Sequence, residues 1–424
     1  MAEGLAIIVH SMLRRLSYLI VACLAALPAA AAPDRPAIER QFQAWLVSDL
    51  WSEAKAAKVS RATFDSALAG VTLDWTMPDL HPPGEKVVAP KVEWQREFGS
   101  PGSYFGEKNL TTLASGGRER LARWKKTLAA IEARHGVPAE ILVSIWGKES
   151  GFGAATMPKP AIRALATSAF MGRRAVFFRK ELVAALVIVE NGDIGAGAMR
   201  SSVGGALGQP QFMPSVFLHY AVDFDRDGKR DIWSSVPDSL ASIAHFLEGE
   251  GWVKGRGWGM EVAVPASVSC ALEGPEQGLP VAEWAKRGVT RMGGQPLPKD
   301  TGLSYLLMPA GRHGPAFLVT DNFYVLKQYN NSDLYALYIG HLADRFSGTP
   351  SFADEWGKVA SFNRGEVKAM QEKLKTEGYT VSINNAEPDG LIGYRTRVAI
   401  GLSQAKAGRA ATCLPDAALI RSVR

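Results

Sequence analysis

The chain is poor in cysteine, with three in 424 residues, at positions 23, 270 and 413. That excludes a small disulfide-stapled scaffold and a cysteine-built metal cluster. The seven histidines, His135, His219 and His245 among them, are scattered without zinc spacing. An amidase or metallopeptidase is therefore disfavoured. No Lys/Arg-rich run occurs, and 48 basic against 42 acidic residues leave a formal charge of only +6. Nucleic-acid binding is not favoured by so mild an excess. No G-x-G-x-x-G follows a strand-like run, so a dinucleotide loop is rejected. Repeats of 20–50 residues are absent, as is low-complexity sequence. The length suits two or three domains.

What is present begins at the N-terminus. Arg14 and Arg15 precede the apolar run Leu16 to Pro28, followed by four alanines at 29–32. This is a signal-peptide pattern over residues 1–32, with Met12 as an alternative start. The run is shorter than the ~20 residues of a spanning helix. Ile20-Val21-Ala22-Cys23 also fits a lipoprotein box, but the apolar stretch continues to Ala32. Plain secretion is preferred over anchoring through Cys23. Removing the signal leaves Cys270 and Cys413, for which a disulfide and two buried thiols both stand open.

Residues 141–153 organise the rest. Pro138 stands where a first helical turn begins, and Ile141, Leu142, Ile145 and Trp146 recur at helical spacing. Glu149 lies four residues past Ile145, on the same apolar face, and Gly151 offers a left-handed stop. Apolar surroundings and the negative end of the helix dipole both raise the pKa of such a carboxyl. A carboxylic acid kept protonated near neutrality serves as a general acid. The plainer alternative is a helix-end Glu turned to solvent and paired with Lys148.

Around this helix, residues 37–70 read as two helices, 117–135 and 173–190 as one each, and 154–168 as a loop. Residues 72–106 read as an irregular connection, and 252–320 as a small β-rich insertion. Residues 322–346 are helical, interrupted at Tyr329-Asn330-Asn331-Ser332. Between 201 and 214, three glycines and two prolines shape the backbone around Gln209 and Gln211. Asp223, Asp225, Asp227 and Asp231 fall at positions 1, 3, 5 and 9 of a calcium-type loop, with Gly228 at 6 and the Lys229 carbonyl at 7. Position 12 is Ser234 instead of Glu, so Asp238 is the expected closing ligand. Helices from Pro214 and from Asp238 flank the loop. A hydrated Asx-turn is the competing explanation. After a linker at 347–363, residues 364–424 read as three short helices, stopped or opened at Gly378, Thr396 and Pro415.

Four ordered motifs now form a pattern: 145–153, 208–214, 223–233 and 329–332. Together they resemble the lytic murein transglycosylases of the membrane-bound transglycosylase B family. The unit containing Gln371, Leu374, Asp389-Gly390, Gly393 and Thr396 is similar to the common peptidoglycan-binding module. The resemblance implies an α+β, mainly α-helical fold. A lysozyme-like catalytic region over 33–346 would carry the β-rich insertion, with the binding module at 364–424. It implies non-hydrolytic cleavage of the MurNAc–GlcNAc β-1,4 bond, giving a 1,6-anhydro product, with Glu149 as single acid/base. Ser202, Gln211, Tyr329, Asn330, Tyr335 and Phe152 match sugar-groove positions. As alternatives, Ser202 is a turn residue, Asn330 a cap, and Tyr335 and Phe152 core aromatics. The acidic loop would hold a structural Ca2+, with no organic cofactor. Implied partners are peptidoglycan strands and other cell-wall enzymes; the chain is read as a periplasmic monomer. A departure is Gly151, where the family often has Asn. A hydrolytic muramidase on the same fold and a non-enzymatic wall-binding scaffold are the rival readings.

Overall fold

The computed structural model describes residues 33–84, 101–360, 362–382, 384 and 386–421. The signal-peptide expectation and Cys23 lie outside them. No helix among the described residues is long and apolar enough to cross a membrane.

Helix α1 (Arg35–Trp45) starts at Pro36, with Asp34 accepting from the Ala37 N–H. A π-type turn at Leu46–Leu50 carries it into α2 (Trp51–Ala56), and Ser60 caps α3 (Arg61–Leu68). Two helices follow where one was expected over 117–135: α4 (Glu107–Arg123) and α5 (Lys125–His135). The break is Trp124, at φ −101° and ψ 17°. Periodicity carries across such a kink because the apolar face is kept. Gly136 then ends α5 in the left-handed conformation.

Helix α6 (Ala139–Ser150) is the central rod, with Ile141 to Gly147 all buried. It packs against α4, α5, α10 (Val236–Gly249) and α13 (Asp333–Phe346). The loop expected over 154–168 is shorter than that. Strand β1 (Lys159–Pro160) pairs with β2 (Arg200–Ser201), and α7 (Ala161–Met171) begins at once. Pro160 occupies the N-cap position of α7, where an extended residue before a helix is natural. Helix α8 (Ala175–Glu190) packs on α7, and α9 (Pro214–Tyr220) and α10 flank the acidic loop as expected.

The insertion is an antiparallel five-stranded sheet, ordered β4-β6-β7-β3-β5. Its strands are β3 (Gly259–Ala263), β4 (Leu279–Pro280), β5 (Thr290–Arg291), β6 (Leu303–Leu307) and β7 (Ala316–Val319). It carries its own apolar cluster around Val262, Trp284, Leu306 and Leu318, with α11 (Val281–Lys286) on it. Helix α12 (Asp321–Tyr329) and α13 return to the main body, broken at 330–332. The C-terminal α14 (Arg364–Thr376), α15 (Tyr394–Lys406) and α16 (Ala417–Arg421) share a third small cluster of Val367, Met370, Leu374 and Ile400.

The C-terminal helices are docked, not tethered. Helix α15 packs on the Cys270–Leu272 turn of the insertion. Cys270 and Cys413, both fully buried, are joined in a disulfide across 143 residues. Arg397 is buried against Glu273 at 2.6 Å and Asp333 at 3.2 Å. The expected linker also lies on the body. Trp356 stacks on Phe105 at 5.2 Å, and the Ala353 and Asp354 N–H groups donate to Glu261. Its aromatics are apolar surface that packing removes from water.

A closed loop of this length confines the unfolded chain strongly. Replacing both cysteines by alanine is expected to destabilise the C-terminal helices by on the order of 3 kcal/mol. Urea unfolding followed by hydrogen exchange of α14 and α15 checks this. An unchanged midpoint would mean that the packing of α15 and the Arg397 ion pairs hold the unit in place without the disulfide.

Candidate active site

Helix α6 ends as its sequence dictates. The Gly151 N–H closes on Gly147 O at 3.0 Å and the Phe152 N–H on Trp146 O at 3.2 Å, with Gly151 at φ 57°. Phe152 follows at φ 62°. This turn swings its ring back between α4 and α6, against Gly116 and Gly147. A Cβ on Gly147 would sit 2.7 Å from that ring, so the close fit needs glycine there. Arg120 stacks over the ring at 5.0 Å. Phe152, half-buried, packs at the helix end between these glycines, the core placement that stood as the alternative to a sugar contact.

Glu149 projects from the last turn and is half-buried. The dense surroundings of its carboxyl push its pKa up. Two weaker effects oppose this: the Tyr335 hydroxyl, donating to Oε1 at 2.5 Å, and the nearby charge of Lys148. Oε2 has no hydrogen-bond partner among the described residues. Lys148 does not turn to solvent with Glu149. Its ammonium lies over the rings of Tyr338 and Tyr104 at 4.3 and 4.6 Å. Among the described residues, no other carboxylate acts on Glu149.

Tyr335 reaches Glu149 from the first turn of α13, and burial beside that carboxylate pushes its own pKa well up. It therefore stays a donor. Tyr329, at the end of α12, stacks parallel to it with centroids 6.3 Å apart and donates to Pro210 O at 2.7 Å. That bond brings the 201–213 loop to the same place. Gln211, at φ 57°, donates through Nε2 to Gly208 O at 2.9 Å and touches Met157 Sδ. Ser202 Oγ accepts from the Ala206 N–H at 3.1 Å. Both are half-exposed, and Asn330 is exposed beside Tyr329. Glu149, Tyr335, Tyr329 and the loop that carries Gln211 are thus joined by a chain of contacts through Pro210.

Gln209, singled out in the sequence beside Gln211, finds its partners only in the fold. Gln209 is buried, accepts from Trp146 Nε1 at 2.7 Å and donates to Trp233 O at 3.1 Å. It ties the acid's helix to the acidic loop.

In that loop, oxygens of Asp223, Asp225 and Asp227 lie within 4.8 Å of one another. An all-oxygen donor set of this charge fits Ca2+. Asp231 is turned elsewhere and accepts from the Trp233 and Ser234 N–H groups. Asp238, expected to close a metal shell, is fully buried and closes the loop through its backbone. Its oxygens accept from Phe224, Asp225 and Asp231 N–H groups at 2.8, 3.3 and 2.9 Å. Its place in the first turn of α10, behind the loop, aims it at amides.

The helical body with its small sheet defines a mainly helical protein, and Glu149 is its desolvated carboxyl at the end of the central helix. The model of the transglycosylase SLT domain matches residues 41–344. The membrane-bound lytic murein transglycosylase B of Escherichia coli (strain K12) is 34% identical over 217 residues, 49% of this chain and 56% of that protein. The chain thus spans just over half the length of that curated relative. Two structures of SltB3 from Pseudomonas aeruginosa superpose with TM-scores of 0.78 and 0.76, at 38% and 37% identity. Each covers 90% of this chain and 99% of SltB3. The chain belongs to the transglycosylase SLT domain family, as the ordered motifs implied.

A carboxyl whose folded pKa is raised binds its proton more tightly folded than unfolded, so its ionisation costs stability as pH rises. Glu149→Gln is expected to raise the melting temperature at pH 8, with the gain shrinking toward pH 4. Calorimetry across that range checks it, and a pH-independent difference would place the carboxyl in open solvent.

Proposed function

We propose that this chain is a lytic transglycosylase that cleaves the MurNAc–GlcNAc β-1,4 bond of peptidoglycan without water, with Glu149 as the only acid/base. The observation that carries this is a single carboxyl, desolvated and held on one oxygen by Tyr335. Protonated Oε2 gives its proton to the leaving glycosidic oxygen as the C1–O bond breaks. The acetamido carbonyl of the muramic residue stabilises the cation at C1, as in substrate-assisted glycosidases. The carboxylate then takes the proton of the muramic O6 as O6 bonds to C1 and closes the 1,6-anhydro ring. Tyr335 stabilises the carboxylate in the interval through its donated hydrogen bond. No water enters, and the enzyme ends as it began.

SltB3 has been solved with NAG-anhNAM-pentapeptide and with NAG-NAM-pentapeptide, which supports an anhydro product. Ser202, Gln211, Tyr329 and Asn330 orient the sugar's acetamido and hydroxyl groups in this reading. Residues 364–424 act as a wall-binding module, following a catalytic region at 33–346 and the 347–363 segment. The acidic loop holds a structural Ca2+ through Asp223, Asp225, Asp227 and the Lys229 carbonyl, with Asp231 reached through water. The ion gathers charges that otherwise repel. Residues 1–32 direct export to the periplasm. A muramidase would need a further base to activate water. The absence of a second carboxylate acting on Glu149 among the described residues speaks against it.

Mass spectrometry of products from purified sacculi tests the reaction. Fragments one water lighter than hydrolysed muropeptides are expected, and Glu149→Gln should lower their yield by about 10³-fold or more, the scale for loss of an essential acid. Reducing ends at full mass would establish a muramidase instead. For the loop, CaCl2 should raise the melting temperature and EDTA reverse it, with Asp225→Ala insensitive to both. A melting curve unmoved by EDTA would remove the metal from this account.

A further inference from the structure

The side-chain amide of Gln211 is committed on its nitrogen and open on its oxygen. Nε2 donates to the Gly208 carbonyl at 2.9 Å and to the Met157 sulfur at 3.2 Å. A primary amide has two N–H donors, so both are used inside the protein. Oε1, able to accept two hydrogen bonds, has no partner among the described residues. The amide cannot turn over in place. A carbonyl and a thioether only accept, and a rotated amide would set its own oxygen against both.

The backbone beneath it is equally fixed. Gln211 stands at φ 57°, a conformation that a side-chain-bearing residue keeps only where its surroundings impose it. Its own N–H also closes on the Gly208 carbonyl, at 3.3 Å. Such strain collects at contact sites, where a group must face one way before its ligand arrives.

Met157 is aimed from outside its own loop. It lies in the turn between α6 and β1, and Arg200 grips that turn from β2. Arg200 Nε donates to the Met157 carbonyl at 3.2 Å and Nη2 to the Pro158 carbonyl at 2.7 Å. A guanidinium is a planar fork, so two carbonyls on it fix the direction of the turn and of the sulfur beside them. Arg200 is itself anchored twice. It pairs with Pro160 in the β1–β2 ladder, and its carbonyl accepts from Trp233 Nε1 at 3.0 Å. Among the described residues its guanidinium meets no carboxylate, so holding these carbonyls is the work it does.

We propose that Met157, set by Arg200, is a positioning residue that holds Gln211 as an acceptor-only contact, so that the site reads an N–H or O–H donor on the bound glycan. The inference rests on the transglycosylase reading above, and two readouts keep their failures apart. The first needs no substrate. In protein labelled with 15N at glutamine side chains, both Gln211 Nε2 protons should be protected from exchange. Met157→Leu, similar in volume but without an acceptor, should speed exchange of one of them by about tenfold, the scale of one neutral hydrogen bond.

The second readout is binding of MurNAc–GlcNAc oligosaccharides in the Glu149→Gln background, where cleavage does not intervene. Gln211→Ala and Met157→Leu should each weaken binding by about threefold to tenfold. Arg200→Lys, which keeps the charge and loses the fork, should match Met157→Leu. Neither should weaken binding further in Gln211→Ala, because both act through that amide. An oligosaccharide with 2-O-acetyl in place of its 2-acetamido groups separates the two donors. Loss of the Met157→Leu effect with this ester identifies the acetamido N–H; persistence identifies a hydroxyl. Additive losses in the double variants, or amide exchange unchanged by Met157→Leu, overturn the proposal. So does glycan binding untouched by Gln211→Ala, even where wild type forms the anhydro product. No anhydro product from wild type, with these binding results intact, would sink the reaction and leave Gln211 as a glycan contact fixed by Met157.

Discussion

Keeping one carboxyl out of water is the constraint on which the site depends. Glu149 sits at the end of a helix whose other face is buried, where desolvation favours its neutral form. In the proposed reaction an acid pushed too far could not return as a base, and one left in water would lose its proton too early. Tyr335 works against desolvation with a hydrogen bond to one oxygen and leaves the other for chemistry. It keeps its own proton because it is buried beside the same carboxylate.

That balance requires α6 and α13 to hold position. Ser144 Oγ donates to the Ile339 carbonyl across their seam at 2.8 Å. On the far side, Trp146, Gln209 and Trp233 form a chain of hydrogen bonds from α6 to the acidic loop. Asp238 closes that loop from beneath with three backbone amides, though burial raises its pKa. The loop's rigidity therefore has two sources, a buried carboxylate in its closing turn and an outer cluster of acids suited to a cation. Both lead back to the placement of the acid's helix.

The C-terminal helices extend the same logic. A module joined by a free linker would sample many positions; here it is held by a disulfide and by Arg397 between two acids. A buried ion network of this kind contributes geometry more reliably than net stability. Asp333, one of those acids, opens α13 two residues before Tyr335. The docking of the C-terminal unit and the partner of Glu149 thus share one helical turn.

The amino-acid sequence alone determined the local pieces. Apolar spacing from Ile141 to Trp146 defined the helix under Glu149, and Gly151 marked its end. Carboxylates at alternate positions announced the acidic loop, and the break at 329–332 was legible from its polar run. These signals are short-range, because helix periodicity and turn chemistry act over a few residues. What only the tertiary structure decided involves residues far apart. Tyr335 meets Glu149 across 186 positions, and Cys270 meets Cys413 across 143. Spacing could not say whether Tyr335 was a core aromatic or the acid's partner, nor whether the two cysteines paired. Phe152 stood open as a sugar contact or a core aromatic, and a left-handed turn packs it between two helices; Asp238 was the expected closing ligand of the acidic loop, and its oxygens meet backbone amides. In each case the residue type was legible and its direction was not. Direction depends on how distant elements pack, and that packing is a property of the whole fold.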